Sequence, residues 1–152
     1  MRVAVIAESF LPHMNGVTGS VLQILHHLSA AGHETLVIAP SAGGASDEMV
    51  VAGLRGADAR LLRSVPLPSY PEVRVVFARA ARLAGILRTF RPDVVHLASP
   101  FVLGWQGVVA AEAVGVPTVA IYQTDVVAYA EKYGMPRATA LVRSHVTRLH
   151  RR

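Results

Sequence analysis

Three short polar segments interrupt an otherwise apolar chain, and each holds side chains capable of chemistry. The first is ESFLPHMNGVTGS, residues 8–20, between the apolar run MRVAVIA and a stretch of helical periodicity. Backbone N–H groups at a helix start lack partners within the helix and carry partial positive charge, so they bind phosphate. Gly16 would let a phosphate approach without meeting a side chain, with Asn15 just before it. Gly16-Val17-Thr18-Gly19 is neither G-x-G-x-x-G nor a P-loop, which needs Gly-Lys-Ser/Thr. A plain Asn-Gly turn, with Thr18 or Ser20 near the helix start, is an equal alternative. Glu8 can accept hydrogen bonds from sugar hydroxyls; equally, it can pair with an arginine or cap a backbone amide.

The second segment is HLASP, residues 96–100. His96 lies inside the apolar run DVVHLA, where a hydrogen-bonded core histidine is the commoner fate and a chemical role the rarer one. Ser99 and Pro100 follow at the end of the run and are expected to shape a pocket. No G-x-S-x-G elbow surrounds Ser99, which argues against a nucleophile. The third segment is YQTD, residues 122–125. Gln123 donates and accepts hydrogen bonds but cannot act as a base. Asp125 can act as a base or bind hydroxyls, and its spacing equally suits an N-cap for a helix starting at 126. His26 and His27 are adjacent and point to different sides of a helix, and no other cluster has metal-ligand spacing, so no metal site is expected.

The elements that must position these segments follow from periodicity. Val3 to Ala7 is continuously apolar, as in a strand buried on both faces. Val17, Val21, Ile24, Leu25 and Leu28 repeat at helical spacing, which predicts a helix over 17–31 stopped by Gly32. HETLVIAP, 33–40, reads as a second strand, and SAGGASDE, 41–48, as a flexible loop. MVVAGL and ARLLRSVPL read as short strands, followed by a stretch broken by Pro66, Pro68 and Pro71. Val76, Leu83, Ile86, Leu87 and Phe90 mark an amphipathic helix ended by Arg91-Pro92. A strand at 93–98, a helix at 103–114 with Gly104 and Gly107 permitting close packing, and a strand at 116–122 follow. A short helix near 126–133 and a last helix from Arg137 complete the chain. Alternating strands and helices predict a doubly wound, mostly parallel, Rossmann-like α/β sheet with helices on both faces. In that architecture ligands sit beyond the carboxyl ends of the strands, where all three polar segments fall.

Composition narrows the setting. The chain has 152 residues, 52% of them apolar, enough for one domain with a proper core. No apolar run is long enough to span a bilayer, and Glu8 interrupts the start before a secretory h-region can form, so a cytoplasmic location is expected. The net charge is +5, and Lys132 is the single lysine among 15 basic residues. The arginines lack interleaved aromatics and no zinc-finger or RNP-like motif occurs, which argues against nucleic acid. In the last helix, Arg137, Arg143, Arg148 and Arg151 lie mostly opposite Leu141, Val142, His145, Val146 and Leu149. That face is either solvated or rests peripherally on an anionic membrane.

Together, AESFLPHMNGVTGSV, PDVVHLASPFVLGWQG, GVPTVAIYQTDVVAYAEKYG and the final LHRR resemble the N-terminal half of retaining glycosyltransferases of family four, which have the GT-B fold. The similarity is greatest to bacterial GDP-mannose-dependent alpha-mannosyltransferases acting on glycolipids, and it covers nearly the whole chain. The resemblance implies two Rossmann-like domains facing a cleft. The N-terminal domain, here 1–152 and truncated, takes mainly the acceptor; the C-terminal domain, absent from this chain, holds most of the nucleotide-sugar. It implies a nucleotide-sugar donor, a lipid or glycan acceptor, and no metal or other cofactor. By position, Gly16 matches the family glycine whose loop approaches the donor phosphates, and Asn15 shapes that loop. Gln123 stands where many members have histidine near the transferred sugar, a departure from the family pattern. Gln123 and Asp125 are the candidates at the reacting centre. Thr124, Glu8, His96, Ser99, Tyr129 and Tyr133 are candidates for acceptor or sugar contacts. The resemblance further implies front-face attack, with the leaving phosphate removing the acceptor's proton. Two other functions fit the bare sequence: a stand-alone nucleotide- or phosphate-binding module, and a small dinucleotide-dependent oxidoreductase. For the latter, Glu34, 18 residues after Gly16, is the nearest acidic candidate for a ribose.

Overall fold

A computed structural model describes residues 1–121 apart from 55, 68, 69 and 100, together with Ser144 and Thr147. The elements are β1 Arg2–Ile6, α1 Gly16–Ala30, β2 Glu34–Pro40, α2 Ala45–Gly53, β3 Ala57–Leu62, β4 Ser64–Leu67, β5 Tyr70–Val76, α3 Ala80–Phe90, β6 Val94–Leu97, α4 Val102–Val114 and β7 Thr118–Ala120. Five strands form one sheet in the order β3-β2-β1-β6-β7. Every neighbouring pair in it is parallel. The chain moves outward from β1 to β3, then returns to β6 on the other side of β1. The order therefore reverses between β1 and β6, and a crevice opens there at their carboxyl ends.

Both faces of the sheet are covered, as continuous apolar strands require. Ile6, Leu36, Ile38, Val95 and Leu97 pack with Leu83, Leu87 and Phe90 of α3 and with Leu103, Val108 and Ala111 of α4. On the opposite face, Val3, Val5 and Val37 pack with Val21 and Leu25 of α1. Each fully buried Leu or Ile among these contributes roughly 2 kcal/mol of transfer free energy. The α3 stripe, Leu83, Ala84, Leu87 and Phe90, follows the 3-4 spacing of one helix face, and Arg91 closes the helix in the left-handed conformation at φ 52°.

α4 packs closely enough that side chains would obstruct it. A Cβ on Gly107 would meet Ile6 Cδ1 at 2.6 Å and Leu97 Cδ2 at 3.2 Å. Both are ends of flexible side chains and can give way. A Cβ on Gly104 would meet the Ser99 carbonyl oxygen at 2.0 Å, and that atom belongs to the backbone. Gly104 is thus the position where α4 and the end of β6 must touch without a side chain between them.

Four expectations are overturned between residues 41 and 80, while the short strands expected of ARLLRSVPL are present. MVVAGL is not a strand: Met49–Gly53 is the second half of α2. Its paired valines favour a strand locally, but Val50 buries toward the core from a helix, and the turn before it is set by Gly44 at φ 56°. The segment 41–48 is not a free loop. Asp47 takes hydrogen bonds from Ser41 Oγ at 2.5 Å, Ala42 N at 2.9 Å and Gly43 N at 3.1 Å, and α2 begins at Ala45. ARLLRSVPL divides into β3 and β4, and the proline-rich stretch after it forms β5, antiparallel to β4. A two-stranded ribbon has free edges, so Pro66 and Pro71 fit within it without costing ladder bonds. Val76, expected on the helix, ends β5 and is 3% exposed; α3 starts four residues later. The expected helices after 126 and the arginine face of the last one lie outside the described residues.

Candidate functional site

The carboxyl edge of the sheet gathers the ends of β1, β2 and β6 and the starts of α1, α2 and α4. Glu8 follows β1 and reaches across the crevice. Its Oε1 accepts a hydrogen bond from Gly104 N at 3.1 Å. Burial pushes its carboxyl up to about 7, while the amides of Gly104, Val102, Phe101 and Leu103 favour the ionised form. Glu8 is therefore the side chain that fills the positive end of α4. Of the alternatives open in the sequence, amide capping is the one the structure shows. Ser99 is 5% exposed, and its carbonyl packs on Gly104.

The raised Glu8 pKa has a testable sign. The folded chain holds the Glu8 proton up to about pH 7, whereas the unfolded chain releases it near 4.5. Between those values the folded state binds more protons, so the Glu8 contribution to stability falls as pH rises. Glu8→Gln keeps an oxygen for Gly104 N and cannot ionise. The stability of the unmodified chain relative to Glu8→Gln is expected to decline from pH 4.5 to pH 7.5 by an amount on the order of 3 kcal/mol. Urea denaturation of both proteins at the two pH values measures it; a constant difference would refute the raised pKa.

The 8–18 loop is internally fastened. Asn15 is the N-cap of α1, its Oδ1 accepting from Thr18 N at 2.9 Å. Asn15 Nδ2 donates to Ser9 Oγ. Thr18, fully buried, donates from Oγ1 to the His13 carbonyl at 2.9 Å. The Asn15 side chain is thereby committed to the loop itself. Gly16 is the first residue of α1 and is exposed, and a Cβ there would meet nothing within 4 Å.

The helix starts on this edge differ in one respect. α4 has its positive end filled by Glu8, and α2 carries Asp47 and Glu48 in its first turn. α1 has no acidic residue in its first turn. Of the three helices α1, α2 and α4, α1 alone presents its N-terminal amides without a carboxylate of the chain beside them; α3, which follows the β4–β5 ribbon, likewise has no acidic residue in its first turn.

His96 is set back from the edge. It lies within β6, in register with Val5 on one side and Val119 on the other. Val94 and Ala98 pack on the α1 side of the sheet, so the alternation places the His96 ring on that side too. It is 9% exposed, burial holds its pKa below the usual value, and Nε2 has no hydrogen-bond partner among the described residues. Glu34 is at the other end of the sheet: it opens β2 and pairs with Arg2 at 2.6 Å. A ribose-binding acid belongs at the carboxyl end of β2, so the oxidoreductase alternative loses its candidate. Gln123, Thr124, Asp125, Tyr129 and Tyr133 lie outside the described residues. No group of three His, Asp or Glu side chains capable of holding a metal occurs among the described residues.

Sequence reasoning missed two residues here. Asp47 fastens the β2–α2 turn; burial opposes its ionisation, but the bonds from Ser41, Gly43 and Ala42, with the nearby Arg74 charge, hold its carboxyl below the usual range. Arg74 lines a small crevice with Glu8, Phe10, Leu11, His13 and Pro40. The available signal was an arginine inside the apolar strand PEVRVV, a costly placement unless the side chain has polar partners.

The chain is similar in sequence to known proteins along its length. The family model Glycosyltransferase Family 4 matches residues 14–152. A GDP-mannose-dependent alpha-mannosyltransferase of Mycolicibacterium smegmatis is 45% identical over 100% of this chain and 40% of its own length. One of the same description from Mycobacterium tuberculosis is 44% identical over 99% of this chain and 39% of its own. A more distant relative, the alpha-monoglucosyldiacylglycerol synthase of Acholeplasma laidlawii, is 29% identical over 82% of this chain and 30% of its own. The chain thus spans about two fifths of the length of the two mannosyltransferases. By its sequence motifs, by its parallel sheet with an open crevice, and by these matches, the chain belongs to glycosyltransferase family 4.

Proposed function

We propose that this chain is the acceptor-side, N-terminal half of a retaining glycosyltransferase that moves mannose from GDP-mannose to a lipid or glycan acceptor. A donor-binding domain follows it in the complete enzyme. The observation that carries this reading is the open N-terminus of α1 beside the switch-point crevice, in a chain with two mannosyltransferases at 45% and 44% identity. The amides of Gly16 and its neighbours receive the donor phosphates, and Asn15, as the cap, fixes their direction. Glu8 keeps the corresponding end of α4 closed to a second phosphate. Ser99 and Glu8 border the acceptor side, and His96 supports it from within the sheet. Gln123, Thr124 and Asp125 contact the transferred sugar and the acceptor hydroxyl, and Tyr129 and Tyr133 extend the acceptor surface.

Positioning and charge stabilisation carry the chemistry in such a site. The acceptor hydroxyl attacks the anomeric carbon on the face the phosphate leaves, and the departing phosphate oxygen takes the proton. Gln123 orients the sugar without exchanging protons. No metal is required. The enzyme works in the cytoplasm, peripherally on an anionic membrane, where a glycolipid such as the one that gives the Acholeplasma relative its name resides.

A complete enzyme incubated with GDP-mannose and a lipid extract is expected to incorporate mannose at the same rate with and without EDTA, while this chain alone incorporates none. Loss of transfer on chelation would overturn metal independence. A folded complete enzyme that transfers no sugar from any sugar nucleotide, yet binds nucleotide, would make the phosphate-binding module the better reading.

A further inference from the structure

We propose that two copies of this chain pair through β3, antiparallel and centred on Ala59, so that their sheets join into one. The inference stands apart from the transferase function above, because β3 is the outer strand of the sheet and the crevice lies between β1 and β6.

β3 ends the order β3-β2-β1-β6-β7, and β2 is its one strand partner among the described residues. The Leu62 carbonyl accepts from Ser41 N at 2.7 Å, so the backbone of Leu62 faces β2. Backbone groups alternate along a strand. Those of Asp58 and Arg60 therefore also face β2, and those of Ala57, Ala59 and Leu61 face outward. Such a row is a template for another strand unless something blunts it. Neither proline nor glycine interrupts ADARLL. The Ala59 carbonyl is covered by a mobile type of side chain: Arg60 Nη1 donates to it at 3.0 Å. A carboxylate offered to Arg60 would release that carbonyl for a ladder bond.

The side chains of β3 select a second copy as the partner. Asp58 and Arg60 are exposed and border, with Leu36 and Arg82, a hollow on the α3 side of the sheet. The Asp58 carboxylate has no hydrogen bond or ion pair among the described residues. A two-fold axis at Ala59 sets Asp58 of each copy opposite Arg60 of the other. The outward backbone of Ala59 makes that position a hydrogen-bonded pair. Asp58 and Arg60 then meet at the non-hydrogen-bonded positions, where side chains stand closest. In a parallel pairing in register Asp58 would face Asp58 and Arg60 would face Arg60, and like charges oppose association. The two-fold arrangement also closes at a dimer, since each copy has then used its β3 edge.

The other side of β3 is apolar. Ala57, Ala59 and Leu61 are half-buried on the α1 side. Val51 and Ala52 of α2 line an open hollow with Leu61 beside the edge, and Val51 is 50% exposed. Pairing sets Leu61 opposite Ala57 of the other copy and brings the two hollows together across the axis, which removes their apolar surface from water. One strand thus offers backbone pairing along its edge, matched charges on one side and apolar area on the other.

Sedimentation equilibrium of the complete enzyme tests the pairing. A monomer–dimer equilibrium is expected. Asp58→Arg and Arg60→Asp each set like charges opposite one another at both symmetry-related positions, and each is expected to raise the dimer dissociation constant about tenfold or more. Both changes together restore the match in exchanged order and are expected to return the constant to within about threefold of the unmodified enzyme. That recovery also separates a broken interface from a broken fold. A complete enzyme that stays monomeric at about 0.1 mM would overturn the proposal. So would a dimer that neither single change weakens, or one that the double change fails to restore. None of these outcomes bears on sugar transfer.

Discussion

Gly104→Ala is expected to destabilise the chain by about 3 kcal/mol, the upper part of the range for overpacking a close contact. The added methyl would lie 2.0 Å from the Ser99 carbonyl oxygen. Neither partner can rotate away, because one is the α4 backbone and the other ends β6. Relief must come from moving α4 off the sheet, and α4 supplies Leu103, Val108, Ala110 and Ala111 to the core. The same shift draws Gly104 N away from Glu8 Oε1, now 3.1 Å apart, and leaves a carboxyl partly buried without its amide. Gly107→Ala is the control, since its contacts are the ends of Ile6 and Leu97. Thermal unfolding is expected to show Gly104→Ala about 6–12 °C below the unmodified chain, with Gly107→Ala much nearer to it. Equal melting temperatures for Gly104→Ala and the unmodified chain would mean that the α4–β6 contact is looser than described.

Gly16→Val separates function from folding. A side chain at Gly16 has open space, and the residue lies at the first position of a right-handed helix. Exchanging glycine for valine there costs no stability and gains a few tenths of a kcal/mol of helix propensity. The new side chain stands where a phosphate would approach the α1 amides. In the complete enzyme kcat/KM for GDP-mannose is expected to fall about 100-fold, the scale on which loss of a preformed anion-binding group acts. Circular dichroism and melting temperature should be unaltered. Unchanged kinetics with GDP-mannose would free the α1 start from any part in donor binding.

The parallel sheet was legible because burial on both faces writes itself into the sequence. Val3–Ala7, the strand ending at Pro40 and DVVHLA are continuous apolar runs, and the helices between them carry one apolar stripe each. Gly104 and Gly107 could be read as packing positions for the same reason. The stretch from 41 to 80 was opaque because its structure depends on partners distant in sequence. Val50 and Val51 prefer a strand by propensity, yet a turn built by Gly44 and Asp47 starts a helix before them. The β4–β5 ribbon holds prolines that usually end strands, and Arg74 becomes intelligible only when Ser41, 33 residues away, accepts its Nε–H. Of the site, the Gly16 loop was legible from its place between a strand and a helix. Glu8 was legible as a polar end to β1, but its role as the cap of α4 was not, because Gly104 is 96 residues distant.

The central claim is that donor phosphates meet the start of α1 and not that of α4. Backbone amide NMR of the complete enzyme titrated with GDP tests it most directly. The expected result is a set of saturable shifts at Gly16, Val17 and Thr18, with Val102, Leu103 and Gly104 unmoved. Shifts at 102–104 without any at 16–18, or none at either helix start at saturating GDP, would contradict it.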